Sequence, residues 1–337
     1  MVVPIKKALT FRASSIGDCL MGKYLLENVH TQFPQARCGI VIAGRAGMIR
    51  DVFAAYPWLE VIEVNRRSPK ALLSLWKDFH GSDFVVTQYA GKEGGSFALA
   101  SKFAARALAR RGGLIGFADA SKWNGALYDQ IVPLHALRSV ADRDRAALRA
   151  AGLAVSSSFP TLDFVRDGAV YAKFDLEAYK FIVVHLFAGN VGRGLHPDKK
   201  RELLRALANK FPGTRFVISG GKDDREEALR VAENIPAVVI AGEATLQELM
   251  NLISRSGGVI SLDTGVAHIT AQLRTPLVVL CSCLGRNWWF PEQYGEDAPI
   301  TVFSRSDLCT SGHVHKEYPT CINSIDMESV AQQASLV

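Results

Sequence analysis

Gly258-Val259-Ile260-Ser261-Leu262-Asp263-Thr264-Gly265-Val266-Ala267-His268 reads as a short buried strand that passes directly into a helix. The first five residues are small or branched and mostly apolar, and Asp-Thr-Gly then supplies a turn before the helical spacing starts. The same alternation runs outward in both directions. Upstream, Phe181–Leu186 is a continuous apolar strand, followed by a helix over 198–209, a strand over Arg215–Ser219, a helix over 223–234, a strand over Ala237–Ile240 and a helix over 245–255. Downstream, the helix opened by Gly265 gives way to a strand over Pro276–Leu280. Strands alternating with helices of this length predict a parallel sheet covered on both faces.

The N-terminal half repeats the pattern. Ala8–Phe11 is a strand, and a helix from about Gly17 to Gln32 carries Leu20, Tyr24, Leu25 and Val29 on one stripe before Phe33-Pro34 stops it. Cys38–Ile42, Val61–Val64, Phe84–Val86 and Leu114–Phe117 are further strands. Between them lie a helix through Val52-Phe53, an amphipathic stretch Ala71–Phe79 and a helix from about Ser96 to Arg110. The pattern weakens from Asp119 to Leu162, where a charged helix, about Arg138 to Ala151, ends at Gly152 before Ser156-Ser157-Ser158. A boundary between about 155 and 178 follows, giving an N-terminal domain 1–165 and a C-terminal domain 166–337. Two doubly wound α/β halves place a ligand at the carboxyl ends of the strands, in a cleft between the domains.

The chain has 337 residues, 48% hydrophobic and 21% charged, enough for two full cores. This excludes a disordered chain, a fibrous repeat and a small disulfide scaffold. No apolar stretch is long enough for a membrane helix. Met1–Lys7 leads into a strand without a signal-peptide pattern, and the six cysteines show no paired framework. The expectation is a cytoplasmic protein with reduced thiols. Charge is uneven: residues 1–170 hold 22 Lys/Arg against 14 Asp/Glu, and the remainder 17 against 19. A net +8 half beside a net −2 half suggests that the first half meets an anionic partner; a solvated basic face is the simpler alternative.

Three loops carry chemistry. Arg12-Ala13-Ser14-Ser15-Ile16-Gly17-Asp18 joins the first strand to its helix. Ser14 or Ser15 can cap that helix, and Asp18 in the first turn is either part of the cap or a carboxylate able to take a proton from a substrate hydroxyl. This loop is not G-x-G-x-x-G, so a dinucleotide fingerprint is absent. Asp263-Thr264-Gly265 places backbone N–H groups at a helix start suited to a diphosphate, with His268 one turn further on and Asp263 able to accept from sugar hydroxyls. Ala188-Gly189-Asn190-Val191-Gly192-Arg193-Gly194-Leu195-His196-Pro197 is glycine-rich and carries Arg193; Ser219-Gly220-Gly221-Lys222-Asp223-Asp224 takes the corresponding place after the next strand.

Arg12-x-Ser14-Ser15-x-Gly17-Asp18, together with Asp263-Thr264-Gly265-x-x-His268 and the later Pro276, resembles glycosyltransferase family 9, the ADP-heptose:lipopolysaccharide heptosyltransferases. The resemblance covers nearly the whole chain in the same order. It implies a GT-B fold of two Rossmann-like domains, the first mainly for the acceptor and the second mainly for the sugar nucleotide. It implies inverting transfer without a metal and without a cofactor, with Asp18 as catalytic base. Arg193, Lys222, Asp263, Thr264, Gly265 and His268 would bind the donor, and Ser14, Ser15, Arg66, Arg67 and Lys70 the acceptor. The partners implied are a nucleoside-diphosphate sugar and an anionic glycolipid or glycan, with transient contact at the cytoplasmic face of the inner membrane and no nucleic acid. Trp76-Lys77 and the helix face Lys102, Arg106, Arg110, Arg111 extend the expected basic contact surface.

The sequence departs from the family in three places. His196-Pro197 stands where a Lys precedes a Trp-Pro pair, Lys222-Asp223-Asp224 where a Glu meets the ribose, and Cys281-Ser282-Cys283 onward where Gly-Pro-Thr-Asp-Pro is usual. Cys309, His313, His315 and Cys321, with Cys281 and Cys283 as further candidates, have no standard zinc spacing, and loop-stabilising reduced thiols are the favoured reading. Two alternatives stand beside transfer: a non-catalytic sugar-nucleotide binder on the same scaffold, and a nicotinamide-dependent oxidoreductase, which the missing glycine fingerprint opposes.

Overall fold

A computed structural model describes residues 4–334 except positions 14, 45, 65–68, 88–94, 119–122, 136, 138, 284–290 and 310–317. The chain divides into two compact units, Met1–Pro160 and Thr161–Val337.

The first unit holds strands β1 (Lys7–Phe11), β2 (Arg37–Ile42), β3 (Leu59–Glu63), β4 (Phe84–Thr87), β5 (Leu114–Phe117) and β6 (Gln130–Val132). They form one parallel sheet in the order β3-β2-β1-β4-β5-β6. The chain winds outward from β1 to β3, then restarts at β4 on the other side of β1, so the winding reverses between β1 and β4. The helix Ile16–Gln32 is buried well beyond its apolar stripe: Gly17, Lys23 and Asn28 are enclosed as well. Two neighbours explain this. The helix Val140–Ala150 lies against it, and the strap after that helix is pinned by Asn28, whose Oδ1 accepts the N–H groups of Ser156 (2.7 Å) and Ser157 (3.0 Å). Lys23 is satisfied by Glu27 at 2.8 Å and sits over the Tyr56 ring.

The second unit holds β7 (Phe181–His185), β8 (Arg215–Ile218), β9 (Ala237–Val239), β10 (Gly258–Leu262), β11 (Leu277–Cys281) and β12 (Ile300–Ser304). The sheet is again parallel, ordered β12-β11-β10-β7-β8-β9, and its winding reverses between β7 and β10. β10 and β11 are buried along their whole length, as strands covered on both faces should be. The helix Met327–Gln333 packs Met327, Val330 and Ala331 into the same core as Leu203, Leu204 and Leu207 of the helix Pro197–Lys210. Lys210 closes its end by donating to the carbonyls of Ala331, Gln332 and Ala334.

Several elements lie outside the sequence reading. β6, β12 and the helices Asn124–Leu127, Ala169–Lys173, Thr320–Asn323 and Met327–Gln333 were not expected, and the helix expected over 223–234 is a 3-10 turn Lys222–Asp224 followed by the helix Arg225–Val231. The helix expected through Val52-Phe53 is Ala46–Val52.

Candidate functional site

Two groups of residues lie at carboxyl strand ends next to the winding reversals, where doubly wound sheets bind ligands.

The first group follows β1. Ser15 is the N-cap of the helix Ile16–Gln32, in extended conformation, and its Oγ accepts the Asp18 N–H at 3.2 Å. The same hydroxyl donates to Asp18 Oδ2. Asp18 therefore completes a cap, and its half-exposed carboxylate sits in the first helical turn. Behind it Arg12 is wholly buried. Its Nε donates to Thr10 Oγ1 at 2.9 Å and its Nη2 to Asp144 Oδ1 at 2.6 Å. Burial pushes the Asp144 carboxyl up to about 6, against the pull of the Arg12 guanidinium. This buried pair anchors the start of the loop to the helix Val140–Ala150.

The second group follows β10, β7 and β8, three neighbouring strands. Thr264 is the extended N-cap of the helix Gly265–Gln272 and gives no side-chain cap bond, so the first-turn N–H groups are left to other acceptors. Asp263 is buried, and its Oδ2 accepts no hydrogen bond from any described residue. Arg193 Nη1 stands 3.8 Å from that oxygen and His268 Nε2 3.9 Å from Oδ1. His268 is oriented from behind by Tyr294, whose hydroxyl lies 2.6 Å from Nδ1. Burial holds the Tyr294 phenol protonated, so when it donates to Nδ1 the imidazole N–H faces Asp263.

Arg193 ends a 3-10 turn, Val191–Arg193, shaped by Asn190, whose Oδ1 accepts the Gly192 N–H at 2.8 Å. Asn323 supports the loop from the side: its Oδ1 accepts the His196 N–H at 2.7 Å, and its Nδ2 donates to Gly194 O at 3.4 Å. His196 and Pro197 serve the helix start, with Pro197 at its first position and His196 Nδ1 accepting the Asp198 N–H. Lys222 is exposed on the loop after β8. That loop rests on Gly242, which has φ +73° and where a Cβ would stand 2.8 Å from Lys222 Cα. His185, at the end of β7, places its Nδ1 3.0 Å from Ser219 Oγ, and burial lowers its pKa to about 4.

Arg193, Asp263, Thr264, Gly265 and His268 are thus brought together, and Lys222 lies on the next loop but one along the sheet. Ser15 and Asp18 are joined directly. Lys70 is exposed near the start of the helix Pro69–Phe79; Ser14, Arg66, Arg67, His313 and His315 lie outside the described residues. Of the expected basic face, Arg111 is exposed beyond the end of the helix Gly95–Leu108, and the other three cations have partners. Lys102 is buried and donates to Asn124 Oδ1, Arg106 is spent on Asp129, and Arg110 pairs with Asp83. Sequence reasoning missed Tyr294 and Asn323, which hold His268 and the Arg193 loop; neither has a local motif that marks it. A surface cavity of about 420 Å³ lies at the opposite, amino end of the first sheet, lined by Asp83, Arg110 and Gln130 among others.

A family profile described as glycosyltransferase family 9 (heptosyltransferase) matches residues 178–282, the segment from β7 to just past β11. This segment is similar to glycosyltransferase family 9. The matched segment contains Arg193, Lys222 and the whole Asp263–His268 turn. Lipopolysaccharide heptosyltransferase 3 of Escherichia coli (strain K12) is 24% identical over 173 residues, and the match spans about half the length of that relative, 49% of each chain. Among solved structures, E. coli ADP-heptose LPS heptosyltransferase II has a TM-score of 0.71 at 19% identity, covering 97% of both chains. A family 9 protein from Veillonella parvula has a TM-score of 0.70 at 16% identity, covering 90% of this chain and 87% of its own. E. coli heptosyltransferase WaaC, solved with ADP-2-deoxy-2-fluoro heptose, has a TM-score of 0.62 at 18% identity, covering 81% and 88%. The paired doubly wound units are those of the GT-B class.

Proposed function

We propose that the chain is an inverting, metal-independent glycosyltransferase that moves a heptose from ADP-heptose to a lipopolysaccharide core or a similar anionic glycan. The observation that carries this reading is the Asp263-Thr264-Gly265 turn at the β7/β10 reversal, flanked by Arg193. An uncapped helix start presents N–H donors to an anion, and a guanidinium adds charge beside them. The unsatisfied Asp263 Oδ2 suits a hydroxyl of the donor, since a buried carboxylate oxygen without a donor is costly.

In the first unit, Asp18 takes the proton of an acceptor hydroxyl. The hydroxyl oxygen attacks the anomeric carbon as the bond from that carbon to the diphosphate oxygen breaks, which inverts the configuration. The leaving diphosphate gains negative charge, met by the helix start at Gly265 and by Arg193 and Lys222. Side chains and backbone dipoles supply this charge, so no divalent ion is assigned to the step. Ser15 keeps Asp18 aligned, and the buried Arg12–Asp144 pair keeps the loop in place.

The acceptor is assigned to the first unit, with Ser14, Ser15, Arg66, Arg67 and Lys70 as its contacts. A lipid-linked acceptor fits a further feature. On the helix Pro69–Phe79, Leu72, Leu73 and Trp76 are exposed by 44%, 68% and 45% beside Lys70 and Lys77. Leu99 and Phe103 of the helix Gly95–Leu108 are similarly exposed. Both helices lie on one face of the sheet, because Leu75 and Phe79 share a core with Ala105 and Leu108. Apolar side chains among cations suit the cytoplasmic leaflet of a membrane. No described helix is long and apolar enough to cross one. The test of the whole reading is transfer itself: ADP-heptose and a heptose-deficient core acceptor should yield ADP and a heptosylated product of inverted configuration. Donor binding without any transfer would leave a non-catalytic binder.

A further inference from the structure

The C-terminal unit gathers three cysteines that the sequence keeps far apart. Cys283 follows β11, Cys309 follows the 3-10 turn Ser306–Leu308, and Cys321 lies in the helix Thr320–Asn323. Their three Sγ atoms all lie within 4.8 Å of one another. None of the three is in a disulfide; Cys321 is buried and the other two are half-buried. Cys281, two residues before Cys283, is buried in β11 and stands outside the group.

We propose that Cys283, Cys309 and Cys321 form a structural site for a thiolate-preferring divalent cation of the zinc type. A Zn–S bond of about 2.3 Å in a tetrahedron sets sulfurs about 3.8 Å apart, and the observed grouping is compatible with that spacing. A disulfide would use two of these sulfurs and strand the third, whereas a metal uses all three. The Cys283 N–H already donates to Cys321 Sγ at 3.3 Å, the kind of outer contact that steadies a coordinated thiolate. Binding releases the three thiol protons to solvent, and the metal keeps its oxidation state.

The site also has a structural consequence. Asn323, two residues after Cys321, holds Gly194 and His196 of the Arg193 loop. Tyr318, three residues before Cys321, packs its ring against Gly194 and meets His196 edge-on. A metal that fixes Cys321 to the ends of β11 and β12 therefore fixes the wall against which the Arg193 loop rests. The effect on donor binding rests on the function proposed above; the metal site does not.

The experiment is elemental analysis of the full-length chain purified without chelator from zinc-supplemented medium. About one zinc per chain is expected, with loss in Cys283→Ser and Cys321→Ser and retention in Cys38→Ser, whose thiol is buried in β2 of the other unit. Cobalt substituted into the wild-type chain should give thiolate-to-cobalt charge-transfer bands and intense tetrahedral d–d bands. Both wild-type readouts stand even if a variant fails to fold. Wild-type protein holding no more zinc than Cys321→Ser, or a fresh preparation two hydrogens lighter from a disulfide among these cysteines, would overturn the proposal. If zinc is present but ADP does not bind, the metal site survives and the function proposed for the loop fails.

Discussion

His185 makes the stability of the second unit depend on pH in a way that can be worked out beforehand. The ring is half-buried at the end of β7, against Ser219, and desolvation lowers its pKa from 6.5 to about 4, with the nearby Lys200 cation adding to the effect. The unfolded chain takes up a proton near pH 6.5 and the folded chain not until about pH 4. A group depressed on folding contributes stability that is present above the unfolded pKa and lost as pH falls toward the folded one. The whole effect is about 3 kcal/mol, and the part lost between pH 7 and pH 5 is about 2 kcal/mol. His185→Asn keeps a polar atom facing Ser219 and removes the titration. Urea unfolding of both proteins at the two pH values checks the argument. The wild type should lose about 2 kcal/mol more than the variant on going to pH 5. An equal loss in both would show that His185 does not titrate as a buried neutral ring.

Further outcomes follow from the two loops. Asp18→Asn should cut turnover by about 10²-fold or more with ADP affinity unchanged; steady-state kinetics beside calorimetry separate the two, and wild-type turnover would reduce Asp18 to a helix cap. Asp144→Asn strands the buried Arg12 guanidinium and should destabilise the first unit by about 3–5 kcal/mol, read from denaturant midpoints. Replacing Arg66, Arg67 and Lys70 by neutral residues should raise acceptor KM, leave donor KM alone and flatten the rise of acceptor KM with salt; identical salt slopes would make the cluster a solvated face. Adding Mg²⁺ or Mn²⁺ to chain dialysed free of them should leave the transfer rate unchanged, and a strict requirement for either would contradict a diphosphate held by side chains and backbone.

The central part of the fold was legible because burial and local pattern coincide there. β10 is a five-residue apolar run ending in Asp-Thr-Gly, and nothing but a strand and a helix start fits it. The edges were not legible. β6 is three residues long with Ile131 facing solvent, and β12 is half-exposed throughout, so neither has an apolar run or a clean alternation. Lys102 read as a surface cation because charge is normally solvated; its stem is buried and its ammonium meets Asn124, a contact 22 residues away. Arg193 and Asp263 were each recognised from glycine-rich or Asp-Thr-Gly turns, but their proximity depends on β7 and β10 being neighbours, which only the winding order fixes. The thiol group shows the same limit: Cys283, a further candidate beside Cys309 and Cys321, joins them through the end of β11, a placement that depends on the fold.

Calorimetric titration of ADP into the wild-type chain and Arg193→Ala tests most directly where the donor diphosphate binds. One site is expected on the wild type, with affinity at least about tenfold weaker in the variant, the scale of one charge-assisted contact. No binding of ADP by the folded wild type, or equal affinity in the two proteins, would contradict it.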